Sequence, residues 1–107
     1  MKTGLGVIFP NGIHEVSLND FSDLPKSGVF IANENELVLK SGLKKGTIIV
    51  ALDGKRTENF VQYGYVRGLT TSPHMELIVY QDGKYQLIKA GVPERRFWAN
   101  FVSWTRK

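Results

Sequence analysis

The stretch Thr47-Ile48-Ile49-Val50-Ala51-Leu52 is the strongest constraint on what this chain can fold into. Six residues with no charge and one hydroxyl leave no polar face, so they predict a central strand buried on both sides. Asp53-Gly54 closes that strand in a tight turn. Such a strand needs neighbours at both edges. Val7-Ile8-Phe9 is a short β-rich run ended by the turn residues Pro10-Asn11-Gly12. Gly28-Val29-Phe30-Ile31-Ala32 reads as a second buried strand, and Met75 to Tyr80 alternates with Met75, Leu77 and Val79 on one face. The two-residue Asp82-Gly83 link suits a type I′ hairpin returning through Tyr85 to Ala90.

Two helices fall between these strands. Asn33-Glu34-Asn35 supplies turn and N-cap chemistry for a helix over Glu36 to Lys40. Gly42 takes the C′ position, with Leu43 packing back on the helix end. From Glu58 to Leu69, Phe60, Val61, Tyr65, Val66 and Leu69 fall near helical spacing. Gly64 and Gly68 weaken that helix by up to ~1 kcal/mol each relative to alanine. A helix seated on a sheet tolerates this, and small residues allow close approach. Residues 13 to 27 are irregular: Ile13, Val16 and Leu18 suit a short strand, while Asn19 or Asp20 suits the cap of a helical turn. The order β, irregular, β, α, β, α, β, β describes an α+β domain with an antiparallel sheet curled around two helices.

At 107 residues the chain has the size of one domain, and its 42% hydrophobic content is enough for a core. The absence of cysteine removes disulfides, zinc–thiolate sites and thiol nucleophiles. The net charge of +4 is spread over Lys44-Lys45, Lys55-Arg56, Arg95-Arg96 and Arg106-Lys107. These read as solvated surface with a weak preference for acidic partners, without the dense stripe of a nucleic-acid binder. No apolar run has the ~18–20 residues that span a bilayer, and Met1-Lys2-Thr3-Gly4 lacks the apolar stretch of a secretory signal. His14 and His74 are the only histidines, His14-Glu15 lacks a second zinc-protease histidine, and no Gly-x-Ser-x-Gly occurs. Asp20, Asp23, Glu34 and Glu36 serve turns and caps. The expectation is a non-catalytic chain without metal or cofactor.

Three segments resemble the PDZ family, in particular the PDZ domains of bacterial HtrA-type serine proteases. The first is Gly4-Leu5-Gly6-Val7, which matches the family's Gly-Φ-Gly-Φ loop. The second joins Gly28-Val29-Phe30-Ile31 and a short helix to Ser41-Gly42-Leu43-Lys44-Lys45-Gly46-Thr47-Ile48-Ile49 and Leu52-Asp53-Gly54-Lys55. The third is the helix near 58 to 69 with the Met75 to Ala90 hairpin. Thr47 stands where the family usually has Asp, and Val38-Leu39 replace its small Ala pair. The resemblance implies a PDZ domain over residues 4–92. It would be a partly open antiparallel barrel or sandwich of five to six strands capped by two helices. In the circularly permuted bacterial form, Tyr85 to Ala90 fills the sheet position of the metazoan first strand.

The same resemblance implies a function. The amides of Leu5, Gly6 and Val7, freed by Gly4 and Gly6 to point inward, would receive a peptide's terminal carboxylate. The peptide would add as a strand to Val7-Ile8-Phe9, with helix 58–69 as the other wall of the groove. Asn59 and Tyr63 are the expected ligand-reading residues, with Val66 in the terminal pocket. No histidine starts that helix, which favours apolar-ended protein or peptide C-termini. Lys2 either reinforces carboxylate binding or is a disordered terminal residue.

Residues 93–107 lie outside the family core. Phe97, Phe101 and Trp104 recur at i, i+4 and i+7 beside Trp98 and Val102, which predicts an amphipathic aromatic helix. It either packs on its own domain or offers Phe97, Trp98, Phe101 and Trp104 for self-association, domain docking or a membrane interface. The alternatives to a free peptide module are a regulatory domain of a larger serine protease, or an assembly domain whose groove is filled by its own tail or a neighbouring copy. Location in a bacterial envelope or periplasm follows from the family alone.

Overall fold

The computed structural model describes residues 7–34, 36–69, 74–91 and 101–106. A 3₁₀ turn at Leu18–Asp20 precedes β1 (Ser27–Ile31), α1 (Glu36–Lys40), β2 (Ile48–Leu52) and β3 (Lys55–Arg56). Then follow α2 (Phe60–Leu69), β4 (His74–Gln81), β5 (Lys84–Gly91) and β6 (Phe101–Thr105). The strands form one antiparallel sheet in the order β5-β4-β2-β1-β6, with β3 paired to β2 off that path. The fold is α+β, and its sheet is open: β5 and β6 lie at opposite edges.

β2 is central, and all five of its residues are buried. Its neighbours explain why both faces are dry. On one face Val29, Ile31, Ile49, Leu52, Leu77 and Val79 meet Val38 of α1 and Tyr63 and Val66 of α2. On the other, Ile48, Val50, Ala51 and Ile78 are covered by Val16 and Phe21 of the 10–26 segment and by Tyr80, Tyr85 and Trp104. Strict alternation would place Leu52 on the second face with Val50. A β-bulge between the Ile49↔Val79 and Ala51↔Ile78 pairs makes Val50 the extra residue. Val50 and Ala51 then face the same way and Leu52 returns to the helix side. The displaced Val50 carbonyl accepts from the Thr57 amide at 3.0 Å and from Arg56 Nη1 at 2.8 Å.

Local chemistry fixes the ends of the elements. After α1, the Leu43 amide bonds the Val38 carbonyl at 3.2 Å and the Gly42 amide bonds that of Leu39 at 3.1 Å. With Gly42 at φ +90°, this is the Schellman arrangement, and Leu43 and Val38 share the core as its hydrophobic partners. Asp53 and Asp82 sit at φ 50° and 55°, each followed by a glycine of positive φ, so both hairpins turn as type I′. Gly28 is required for a different reason. A Cβ there would lie 2.6 Å from the Ile49 carbonyl oxygen and 2.8 Å from Ile48 Cγ2, so β1 approaches β2 only without a side chain. Gly64 and Gly68 are not close-approach sites: an added Cβ meets nothing within 4 Å at either.

Thr47, standing where the resembled family has Asp, is fully buried. Its hydroxyl pairs with Gln81 Oε1, and Gln81 Nε2 donates to the Gly42 carbonyl at 3.1 Å. This joins the end of α1, the start of β2 and β4 without a charge.

Two expectations are corrected. Val7 and Ile8 are helical rather than the start of a strand over 7–9. Phe9 sinks into the core with its ring edge-on to Tyr65 at 5.6 Å, and the Ile8 carbonyl is taken by Gln62 Nε2 at 3.0 Å, so it is not offered to a ladder. The aromatic helix expected over 93–107 is a strand where described. Phe101 and Trp104 do not share a helical face; they serve opposite faces of the sheet. Five consecutive β1 partners, Ser27↔Thr105 to Ile31↔Phe101, decide the matter, and Val102 and Thr105 are β-branched. Phe97 and Trp98 lie outside the described residues.

Candidate functional site

The site begins with α2. Asn59 caps it: its Oδ1 accepts the Gln62 amide at 2.9 Å, and its carbonyl accepts the Tyr63 amide at 3.0 Å. Gln62 reaches back so that its Oε1 accepts the Glu58 amide at 2.8 Å, while its Nε2 holds Ile8. Gln62 is 4% exposed and uses both ends of its amide, which fixes the helix start against residues 8–9. The Asn59-x-x-Gln62 spacing is visible in the sequence as a cap signal. It was the missed clue that Asn59 is committed to the backbone.

Tyr63 and Val66 lie in the core, 1% and 2% exposed. The Tyr63 ring meets that of Phe101 edge-on at 5.8 Å, and burial pushes its hydroxyl pKa far above the ordinary tyrosine value. Of the expected peptide-contacting residues, Phe9, Tyr63 and Val66 are therefore brought together, but as packing. Ile8 is half-buried beside Gln62, and Val7 is exposed. Gly4, Leu5 and Gly6, expected from the resemblance to form a carboxylate loop, lie outside the described residues.

The strand beside α2 is β6. The Phe60 amide donates to Ser103 Oγ at 2.9 Å, and Phe101 enters the core under the helix. β6 pairs on one side with β1. The Arg106 amide bonds the Lys26 carbonyl at 2.8 Å, which makes 26/106, 28/104 and 30/102 the hydrogen-bonded pairs. The N–H and C=O groups of Ser103 and Thr105 consequently point away from β1, along the sheet's outer edge. No described strand lies beyond them. Phe-Val-Ser-Trp-Thr carries no charge, no proline and no bulge. The opposite edge, β5, carries Lys84 and Lys89, and lysines of that kind blunt pairing with another chain.

Arg56 is the main electrostatic feature away from that edge. Nη1 donates to the Val50 and Thr57 carbonyls at 2.8 and 2.6 Å, and Nη2 to the Ser27 carbonyl at 3.0 Å and its hydroxyl at 3.2 Å. The guanidinium lies 5.9 Å from the Phe21 ring centroid. Burial lowers its pKa, partly opposed by Glu58. Its donors thus tie β1 to the bulge and serve architecture. Beyond it, Phe21, Leu24, Tyr80 and Tyr85 line an open depression of about 560 Å³. Among the described residues no group of three His, Asp or Glu could hold a metal ion, and no helix is long and apolar enough to cross a membrane. Compared with family models, with curated proteins and with solved structures, the chain finds no match in any of the three.

Proposed function

We propose that this chain is a PDZ-like recognition module that takes up an extended peptide by strand addition along the outer edge of β6, beside α2. The observation that carries the reading is the asymmetry of the two sheet edges. β6 turns the backbone of Ser103 and Thr105 outward on an uncharged strand, whereas β5 is guarded by Lys84 and Lys89. The preference for a free, apolar-ended C-terminus rests on the resemblance of Gly4-Leu5-Gly6-Val7 to a carboxylate loop. The acceptor moves from 7–9 to β6, because residues 8–9 are packed on α2 and β6 occupies the edge of β1.

The test is titration of the ¹⁵N-labelled chain with peptides ending in apolar residues, each as free acid and as C-terminal amide. The expected result is a set of shifts at Val102 to Thr105 and along α2 that weakens with the amide. Thr105→Pro removes an outward N–H without touching the β1 ladder and should abolish these shifts while the fold persists. Shifts confined to β5, or none with either peptide form, would refute the reading.

A second reading is favoured by Phe101. With its side chain in the core and β6 paired along all of β1, the slot between β1 and α2 is filled by the chain itself, as in an assembly domain.

A further inference from the structure

The sheet register sets how far the chain must travel between β5 and β6. Phe101 lies opposite Ile31, whose amide bonds the Thr47 carbonyl at 2.9 Å. Thr47 precedes the Ile48↔Tyr80 pair and so faces Gln81, which pairs with Lys84. Phe101, Ile31, Thr47, Gln81 and Lys84 thus form one row across the sheet. Crossing its four inter-strand spacings takes about 19 Å. Gly91, the last residue of β5, stands seven residues beyond Lys84 along the strand, which adds about 24 Å in the perpendicular direction. The diagonal is about 30 Å on the sheet surface. The ten Cα–Cα steps from Gly91 to Phe101 reach at most about 33–36 Å.

A single chain can therefore place β6 on its own β1 with only a few ångströms to spare. Closing β6 onto β1 through ten steps that reach little farther than the span costs entropy. The same β1 edge in a second copy offers identical register, an identical slot for Phe101 and no requirement to span this diagonal.

From this we infer that β6 is exchanged between two copies of the chain. Each copy lends Phe101–Thr105 to the β1 edge of the other, giving a two-fold dimer held by reciprocal strands. The occupant of the β1 edge is then the second copy's β6, and the edge offered beside α2 is built from both chains. The inference stands on the β1–β6 register and the reach of the connection, and not on peptide uptake.

The test uses the full chain and exploits its lack of cysteine. Ser27 and Thr105 are a non-hydrogen-bonded pair, whose Cα separation of about 4.5 Å is within disulfide range. Ser27→Cys with Thr105→Cys, oxidised after refolding, reads the pairing on a denaturing non-reducing gel. Exchange gives a covalent dimer whose ratio to covalent monomer rises in proportion to monomer concentration during refolding. Covalent monomer alone at every concentration overturns the proposal, and so does the absence of any disulfide. A second variant avoids reliance on the cysteine pair: six Gly/Ser residues inserted after Ala99 add about 20 Å of reach. By light scattering, the parent chain should be dimeric and the lengthened chain monomeric. A monomeric parent, or a dimer that lengthening leaves intact, overturns it too. None of these readouts involves peptide, so peptide uptake and strand exchange fail separately.

Discussion

Replacing Gly28 by alanine tests the close approach of β1 to β2. The added Cβ would sit 2.6 Å from the Ile49 carbonyl oxygen, whereas carbon–oxygen contacts normally begin near ~3.3 Å. β1 and β2 must separate by about 0.7 Å to relieve it, enough to lose roughly two ladder hydrogen bonds of ~1 kcal/mol each. Ile48 Cγ2, at 2.8 Å, must move as well. Overpacking of this kind costs about 1–3 kcal/mol, and contact with backbone places Gly28→Ala at the upper end, about 2–3 kcal/mol. For a chain of this length that is a fall in Tm of roughly 10–15 °C, read by thermal unfolding followed in far-UV circular dichroism at fixed protein concentration. If β1 did not lie so close, the same change would stabilise by about 0.5–1 kcal/mol, because alanine is less free than glycine in the unfolded chain. An unchanged or raised Tm therefore refutes the close approach.

Gly64→Ala and Gly68→Ala, which meet open space on α2, should each raise stability by about 0.5–1 kcal/mol in the same assay. Thr47→Val leaves Gln81 Oε1 buried without its donor and should cost about 1–3 kcal/mol in urea unfolding. Adding Gln81→Leu should cost less than the sum of the two single changes. Asn59→Ala removes the α2 cap and should cost about 1 kcal/mol, which Asn59→Ser restores. Burial raises the Tyr63 pKa above its ordinary value of 10.0, so the unfolded chain releases this proton first and stability is lost as pH rises past 10.0. Relative to Tyr63→Phe, the parent chain should lose about 1.4 kcal/mol per pH unit above that point. Parallel stability–pH curves for the two would show that Tyr63 is not buried.

Where one short-range rule governed, the sequence was enough. β2 was legible because no residue in it tolerates water, the Asp82-Gly83 hairpin because few dipeptides accept positive φ in succession, and the end of α1 because Gly42 and Leu43 stand at the right offsets. The Val50 bulge was not legible, since an all-apolar strand carries no alternation for a bulge to break. β6 was misread because Phe101, Val102 and Trp104 satisfy helical and strand spacing alike, and only pairing with distant β1 distinguishes them. The candidate site suffered most. Resemblance offered Asn59, Tyr63 and Val66 as ligand contacts, but side-chain occupation is a tertiary property: the first caps a helix and the other two fill the core. The proposed acceptor edge depends on the sheet order, which sets β6 beside α2.

Seventy residues separate Ile31 from its partner Phe101, and this has a consequence during synthesis. A ribosome adding about 5–20 residues per second makes the edge of β1 several seconds before the strand that covers it. During that interval the nascent chain displays β1, with Val29 and Ile31, as an uncovered pairing edge. On a polysome, neighbouring ribosomes hold identical chains at staggered stages, so a completed β6 can meet the waiting β1 of the chain behind it. Under the proposed exchange, translation speed between the codons for Ile31 and Phe101 becomes a variable that sets which molecule each β6 joins.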